Sequence, residues 1–149
     1  MKIKRYSSEE LKDETVKNLC QSFNQIRLET PTWEDKKSLT VKEFQKVIEG
    51  EVLYVALEDE EVIGFLSLFE PEMFIHLFFT RYYAQGKGLG TQLLQRLEED
   101  YNHRTLSLKC LIPNKLAQKF YFKQGFVISE TNVKENYYLL KKEKSSMKG

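Results

Sequence analysis

A turn with alternating glycines lies in the middle of the chain and reads Tyr82-Tyr83-Ala84-Gln85-Gly86-Lys87-Gly88-Leu89-Gly90-Thr91. A strand-like apolar run, Met73 to Phe79, precedes it, and a helix-like run with one apolar face, Leu89 to Tyr101, follows it. Glycine lets the backbone take positive φ and approach a ligand closely. The following helix directs free N–H groups and its positive dipole end into the same space. The stretch therefore predicts a cradle for a phosphate or pyrophosphate.

Two common phosphate motifs do not fit this turn. A P-loop requires Ser or Thr after its lysine to hold magnesium, but Lys87 is followed by Gly88. A dinucleotide fingerprint requires a third glycine where Thr91 stands. A magnesium-nucleotide loop and a doubly wound dinucleotide fold are therefore both excluded on spacing.

Composition indicates a single soluble globular domain covering residues 1–149, with a polar tail over 141–149. The chain has 149 residues, 41% of them hydrophobic and 30% charged, and a formal net charge of +1. The charges are interspersed, so they do not point to nucleic acid. No apolar run approaches the roughly 20 residues of a membrane span, and the first residues lack the apolar core of a signal peptide. Cys20 and Cys110 are too few for a disulfide framework or a metal site. We therefore expect a cytoplasmic protein without a metal.

Hydrophobic periodicity predicts alternating strands and helices in an α+β fold. Three consecutive strands joined by tight turns imply an antiparallel meander, and later strand–helix–strand crossovers add mixed pairing. The predicted strands are Met1 to Tyr6, Val52 to Leu57, Val62 to Phe69, Met73 to Phe79, Thr105 to Leu111, Phe126 to Ser129 and Tyr137 to Leu140. The predicted helices run from Ser7-Ser8 to Arg27, Thr40 to Ile48, Leu89 to Tyr101 and Pro113-Asn114 to Gln124.

A second segment narrows the interpretation: Asn114-Lys115-Leu116-Ala117-Gln118-Lys119-Phe120-Tyr121-Phe122-Lys123-Gln124-Gly125-Phe126. It matches the pattern N-x-x-A-x-x-F-Y-x-x-x-G-F, and the glycine turn matches Q/R-x-x-G-x-G/A. With these two motifs, the chain closely resembles the GNAT superfamily of acyl-coenzyme A-dependent N-acetyltransferases over nearly its whole length. The resemblance implies a three-layer fold. Its sheet would be mostly antiparallel, with roughly six or seven strands and helices on both faces. A bulge would splay the fourth strand, Ile75 to Phe79, from the fifth.

The resemblance also implies where acetyl-coenzyme A would bind. Backbone amides of the glycine turn would hold the pyrophosphate, and Lys87 would add a charge or remain solvated. The fourth strand would hydrogen-bond the pantetheine arm like an added strand, with a main-chain N–H near Phe78 facing the acetyl oxygen. Asn114 would contact the same arm, although it also suits a helix N-cap. The implied cofactor-binding residues are Leu77, Phe78, Phe79, Gln85, Gly86, Lys87, Gly88, Leu89, Gly90, Thr91, Asn114 and Tyr121.

The resemblance makes Tyr121 the candidate general acid, because family members aim a tyrosine at this place toward the coenzyme sulfur. A tyrosine with its ordinary pKa of about 10 is protonated at neutral pH. The general base stays open. His76 titrates in the right range and lies on the fourth strand. Glu70 and Glu72 could act through water, or the amine could arrive neutral.

Two other residues, Trp33 and Cys110, can be explained by packing without a catalytic role. Trp33 lies between the first two helices, where the family varies its acceptor pocket, and it is equally suited to packing. Cys110 is expected to be a small buried hydrophobe, because direct transfer needs no acyl-enzyme.

The leading hypothesis is transfer of an acetyl group from acetyl-coenzyme A to a primary amine, by direct attack in a ternary complex. The alternative is a non-catalytic acyl-coenzyme A-binding or sensing module on the same fold. A nucleotide-binding regulatory protein is a third class. The acceptor stays open between small metabolite amines, antibiotics, polyamines, peptide N-termini and protein lysines. The resemblance also makes a homodimer an expected assembly.

Overall fold

The computed structural model describes residues 1–29, 37–81, 84 and 86–144. The strands are β1 (Lys2–Ser7), β2 (Val52–Glu58), β3 (Glu61–Phe69), β4 (Phe74–Thr80), β5 (Leu106–Leu111), β6 (Val127–Asn132) and β7 (Tyr137–Lys142). The helices are α1 (Asp13–Glu29), α2 (Val41–Val47), α3 (Leu89–Asp100) and α4 (Lys115–Lys123). The predicted order of elements is confirmed, and β7 continues past its predicted end at Leu140.

The first helix begins later than the sequence predicts. Ser7 precedes a 3₁₀ turn, Ser8–Glu10, and α1 starts only at Asp13. Ser8 is engaged elsewhere, because its hydroxyl accepts from the Gly50 N–H at 3.0 Å and its own N–H donates to the Glu51 carbonyl at 2.9 Å. These bonds fasten the end of β1 to the beginning of β2.

The seven strands form one sheet in the order β1-β2-β3-β4-β5-β7-β6. All neighbouring strands are antiparallel except β4 and β5, which are parallel. The meander β2-β3-β4 and the mixed pairing are therefore as predicted. The last strand, β7, lies between β5 and β6, so β6 forms this edge of the sheet.

Helices cover both faces of the sheet, as expected for a three-layer α+β fold. Alternate side chains of β2 enter two separate apolar clusters, because successive residues of a strand point to opposite faces. The α3/α4 cluster includes Val52, Tyr54, Ala56, Leu89, Leu93, Leu94, Leu97, Tyr121 and Phe126. The α1/α2 cluster includes Val16, Leu19, Phe23, Phe44, Ile48, Leu53, Val55, Phe65 and Leu77. The sheet therefore separates two apolar cores.

An extra residue in β4, His76, reverses the alternation of that strand. Ile75 pairs with Leu68 of β3 and Leu77 pairs with Ser67, which leaves His76 without a position of its own in the register. Ile75 belongs to the α3/α4 cluster, whereas Leu77 belongs to the α1/α2 cluster. In a regular strand these two side chains would share a face. His76 is therefore the site of a β-bulge, and the residues after it are turned over.

The bulge coincides with the point where β4 and β5 separate. The two strands pair at Phe74–Ser107 and Ile75–Leu108, and their register ends there. The Ser107 N–H donates to the carbonyl of Met73 at 3.2 Å, so the backbone before the bulge faces β5. After the bulge, the Leu77 N–H donates instead to the Ser67 hydroxyl on β3, at 3.1 Å. The predicted splayed and bulged strand pair is confirmed.

The Ser67 hydroxyl is expected to stabilise the bulge, because Ser67 is 0% exposed and accepts from the Leu77 N–H directly after the extra residue. Ser67→Ala leaves that N–H unpaired and should lower the free energy of unfolding by about 1–3 kcal/mol. Urea denaturation measures the loss. Ser129→Ala, on exposed β6, is the control and should change it by less than about 0.5 kcal/mol. Equal losses in the two variants would contradict the role given to Ser67.

Candidate active site

The separation of β4 from β5 leaves a gap bordered by backbone groups of β4. The Leu77 N–H and the Arg81 N–H, which donates to the Ile63 carbonyl at 2.9 Å, both face β3. Because the strand alternates, the N–H of Phe78 points the other way, toward the gap. The side chains of Leu77 and Phe79 pack in the α1/α2 cluster, as predicted. Of these three candidate residues, only Phe78 presents its N–H to the gap.

Tyr121 lies beside the gap on the α3/α4 face. Its ring centroid is 6.0 Å from that of Phe78, 5.4 Å from that of Phe120 and 5.7 Å from that of Phe126. The residue is 9% exposed, and its hydroxyl has no hydrogen bond to another described residue. Burial, with a smaller contribution from the Cys110 thiol, raises the Tyr121 pKa above its ordinary value. Tyr121 is therefore a neutral phenol at physiological pH, with a proton available.

Cys110 lies on β5 in the same cluster and is buried, as predicted. Burial raises the pKa of its thiol to about 11. The nucleophilic form of a cysteine is the thiolate, which such an environment suppresses. The microenvironment of Cys110 thus disfavours nucleophilic chemistry.

The position of Tyr121 follows from how α4 is anchored. Asn114 caps the helix, since its Oδ1 accepts from the Ala117 N–H at 3.1 Å. The buried Gln118 side chain donates to the Ile112 carbonyl at 2.6 Å and so fastens the first turn to the end of β5. Gly125, at φ +101°, ends the helix. Asn114 thus has the capping role, and its side-chain nitrogen has no hydrogen-bond partner among the described residues.

The glycine turn leaves the beginning of α3 open. Gly86 and Gly88 have φ of +79° and +78°, and Gly88 is the N-cap of α3 without a side-chain cap. The N–H of Gln92 is bonded to the Gly88 carbonyl at 3.0 Å. The N–H groups of residues 89–91 precede that bond and have no intrahelical acceptor. No acidic side chain lies in this first turn. The start of α3 can therefore receive an anionic group.

The remaining candidate cofactor-binding residues of the turn differ in their exposure to solvent. Lys87 is exposed, and Leu89 is buried in the α3/α4 cluster, so it contributes its backbone to the turn. Gln85, another candidate, lies outside the described residues, as do Tyr82, Tyr83 and Trp33.

Gly90 and Thr91 bring the glycine turn into contact with α4. A Cβ on Gly90 would lie 3.1 Å from Cζ of Phe120, so the missing side chain permits the close approach of that ring. The Thr91 hydroxyl accepts from the Gln124 side chain at 3.1 Å. The glycine turn therefore packs directly against α4, the helix that carries Tyr121.

His76, the bulge residue, contacts a carboxylate near the start of β2. Its Nδ1 is 2.7 Å from Oε2 of Glu51, which begins the approach to β2. The His76 side chain is 38% exposed, whereas that of Glu51 is 8% exposed. The imidazole is thus open to solvent on one side and fixed by a carboxylate on the other.

The two alternative bases lie elsewhere. Glu70 accepts from the Tyr101 hydroxyl at 2.6 Å and lies 4.0 Å from the Arg5 guanidinium. Glu72 borders a depression with Arg104 at the amino ends of β4 and β5, opposite the gap. Neither carboxylate shares the bulge, so His76 is the candidate base that lies where β4 and β5 separate.

Tyr121 packs against Phe78 beside the gap, whereas His76 lies at the bulge and contacts Glu51 near the start of β2. The phenol lies on the α3/α4 face, in an apolar cluster. His76 is the bulge residue itself, and its imidazole contacts the Glu51 carboxylate.

Comparison with known proteins identifies this architecture. The sequence matches the acetyltransferase (GNAT) domain over residues 6–141. The chain belongs to this family. Among curated proteins, no sequence matches the GNAT chain described here.

Solved structures share the GNAT fold with this chain. The paia N-acetyltransferase of Thermoplasma acidophilum, in complex with coenzyme A, has a TM-score of 0.75 at 16% identity, covering 96% of this chain and 99% of its own. A GNAT-family acetyltransferase of Streptococcus pneumoniae has a TM-score of 0.70 at 21% identity, with 95% and 98% covered. The yncA protein of Salmonella typhimurium, with its cofactor acetyl-CoA, gives 0.70 at 14% identity, with 100% and 98% covered.

Within residues 1–29, 37–81, 84 and 86–144, no helix is both long and apolar enough to cross a membrane. Over the same ranges, no three His, Cys, Asp or Glu side chains are grouped so that they could hold a metal ion.

Sequence reasoning missed Glu51 and Ser67. Glu51 follows a glycine in a charged stretch, and Ser67 is one small residue in an apolar strand, so neither has a local signal. Both act on residues that are distant in sequence, 25 positions away for His76 and 10 for Leu77. Only the strand register could have identified them.

The shape of the glycine turn should depend on Gly88, whose positive φ is costly for other residues. Gly88→Ala should destabilise the protein by about 1–2 kcal/mol through backbone strain, since a Cβ there would meet nothing within 4 Å. Gly88→Asn should cost less, because asparagine tolerates this conformation. Urea denaturation of both variants measures the difference. An alanine variant as stable as the wild type would contradict the left-handed conformation of Gly88.

Proposed function

We propose that this GNAT domain transfers an acetyl group from acetyl-coenzyme A to a primary amine, by direct attack in a ternary complex. The observation that carries the proposal is the gap that opens between β4 and β5 at the bulge, with Tyr121 packed against Phe78 beside it and His76 at the bulge itself. Direct transfer requires a proton to leave the amine and a proton to reach the departing thiolate. His76 and Tyr121 are the groups proposed for these two tasks.

The glycine turn and the gap suit the two ends of coenzyme A. The uncapped N–H groups at residues 89–91, the positive φ at Gly86 and Gly88, and the exposed Lys87 favour a pyrophosphate. The backbone of β4 after the bulge has lost its β5 partner, so it can bond the amides of the pantetheine arm. The side-chain nitrogen of Asn114 is available to the same arm. Gln85 is proposed for the turn on sequence grounds alone.

The residues around the gap would divide the chemistry between them. Acetyl-coenzyme A supplies the acetyl group as a thioester. The Phe78 N–H faces the gap and would donate to the acetyl oxygen, which becomes negative as the amine attacks. His76 would accept the amine proton. Tyr121, neutral because burial raises its pKa, would give its proton to the sulfur.

Tyr121→Phe tests the proposed acid, because it keeps the ring in its aromatic contacts and removes only the proton. We expect kcat to fall by about 100- to 10,000-fold, the usual range for a general acid. kcat and kcat/KM should fall together, since the contact operates in the transition state. Thiol release from acetyl-coenzyme A with a panel of amines measures turnover.

Tyr6→Phe, at the far edge of the sheet, is the matched control and should retain full activity. An unchanged kcat in Tyr121→Phe would remove Tyr121 from the mechanism. A wild type that binds the donor but is stimulated by no amine would instead favour a non-catalytic acyl-coenzyme A-binding module.

Ligand-dependent thermal stability tests the proposed donor. A ligand that binds only the folded state at roughly 100 times its Kd stabilises that state by about 2.7 kcal/mol. Coenzyme A should therefore raise Tm, and ATP and NAD at equal concentration should raise it less. Gly88→Ala should reduce the shift with coenzyme A. An equal response to all three compounds would contradict a coenzyme A site and favour a nucleotide-binding protein.

A further inference from the structure

Glu51 is a buried carboxylate whose described partner is the histidine of the bulge. Its Oε2 is 2.7 Å from Nδ1 of His76, and the side chain is 8% exposed. Its other oxygen, Oε1, is buried and has no hydrogen-bond partner among the described residues. Burying a charged group is unfavourable unless it is paired. A single imidazole therefore compensates for the burial of this carboxylate.

The backbone holds Glu51 from two directions. The Glu51 N–H donates to the Ile48 carbonyl at 3.0 Å, and the Glu51 carbonyl accepts from the Ser8 N–H at 2.9 Å. Gly50, at φ +78°, makes the turn that leads into it. These contacts belong to the end of α2 and to the segment after β1, so the position of the Glu51 backbone does not depend on β4.

The contact determines which nitrogen of His76 carries a proton. An ionised carboxylate is only an acceptor, so the neutral imidazole must donate to it through Nδ1–H. The lone pair is then on Nε2. Because Glu51 is buried and His76 is 38% exposed, the open edge of the ring lies away from the carboxylate. Nε2 is therefore left as the proton acceptor.

Among the described residues, Glu51 is the charged group that forms an ion pair with His76. Lys109 of β5 follows Leu108, the last partner of β4, and its Nζ lies 4.7 Å from the centroid of the Tyr137 ring. Glu49 is exposed on the surface after α2.

We propose that Glu51 is the positioning residue of the proposed base. It holds the imidazole in the Nδ1–H tautomer, aims Nε2 at the amine, and stabilises the imidazolium that forms. The inference rests on the proposed function, in which His76 accepts the proton. As the nitrogen–carbon bond forms and the carbon–sulfur bond breaks, the amine proton passes to Nε2 and the departing thiolate takes the proton of Tyr121. Nδ1 keeps its own proton, and Glu51 stays a carboxylate. The exposed ring then releases the extra proton to solvent, and the Tyr121 phenolate regains one from it.

The kinetic test uses Glu51→Gln, which keeps the shape and removes the charge, with Glu49→Gln as the matched control. We expect Glu51→Gln to lower kcat by about 10- to 100-fold, as for other residues that orient a functional histidine. KM values for acetyl-coenzyme A and for the amine should change by less than about threefold. Glu49→Gln should match the wild type. The probe amines are spermidine, tyramine and a lysine-containing peptide.

A spectroscopic readout makes the test independent of turnover. The chain has two histidines, His76 and His103, so ¹⁵N spectra of the ring nitrogens are simple, and His103→Gln assigns them. The wild type should show His76 as the Nδ1–H tautomer. Glu51→Ala removes the acceptor and should give a mixture of tautomers, while Glu49→Gln should not. Thermal unfolding confirms that each variant is folded.

The outcomes separate the inference from the proposed function. Loss of the Nδ1–H tautomer in Glu51→Ala, together with the fall in kcat of Glu51→Gln, supports the positioning role. An unchanged tautomer in Glu51→Ala overturns it, even if the enzyme is active. Full activity of His76→Gln, where Tyr121→Phe is inactive, overturns it as well, because Glu51 would then position a residue that is not the base. Absence of turnover with every amine overturns the proposed function. The ¹⁵N spectra of the free protein still determine the tautomer of His76 in that case.

Discussion

The extra residue at His76 is the constraint on which the rest of the site depends. Without it, Leu77 would point its backbone at β5 and its side chain at the α3/α4 cluster, as Ile75 does. The reversal ends the pairing with β5 and turns the Phe78 N–H into the space that opens. One change of register therefore produces both a gap between parallel strands and a donor that faces it.

The two candidate acid–base groups lie in different environments. Tyr121 packs in an aromatic cluster beside the gap, where burial raises its pKa further above its ordinary value. His76, at the bulge, remains partly solvated and contacts Glu51. The proposed acid is thus surrounded by apolar side chains, whereas the proposed base is open to solvent.

Much of the fold could be predicted from local sequence. Period-2 and period-3.6 patterns identified all the strands and helices to within a few residues, because each element buries one face. Thr40 caps α2 as its position predicts, through an accepted bond from the Glu43 N–H at 3.1 Å. Ser8 misled the prediction of α1, since its hydroxyl bonds to Gly50, which is 42 positions away. A prediction from neighbouring residues fails where a polar side chain forms its hydrogen bond with a residue that is distant in sequence.

The sequence by itself determined the order of elements, the glycine turn before α3 and, through two motifs, the family. These depend on residues close together in the chain, whose spacing dictates backbone geometry. Only the tertiary structure decided that the extra residue of β4 is His76 and that Leu77 turns to Ser67. It also decided that Glu51 lies behind the imidazole. These features arise from the register between strands, and register is set by packing across the whole sheet.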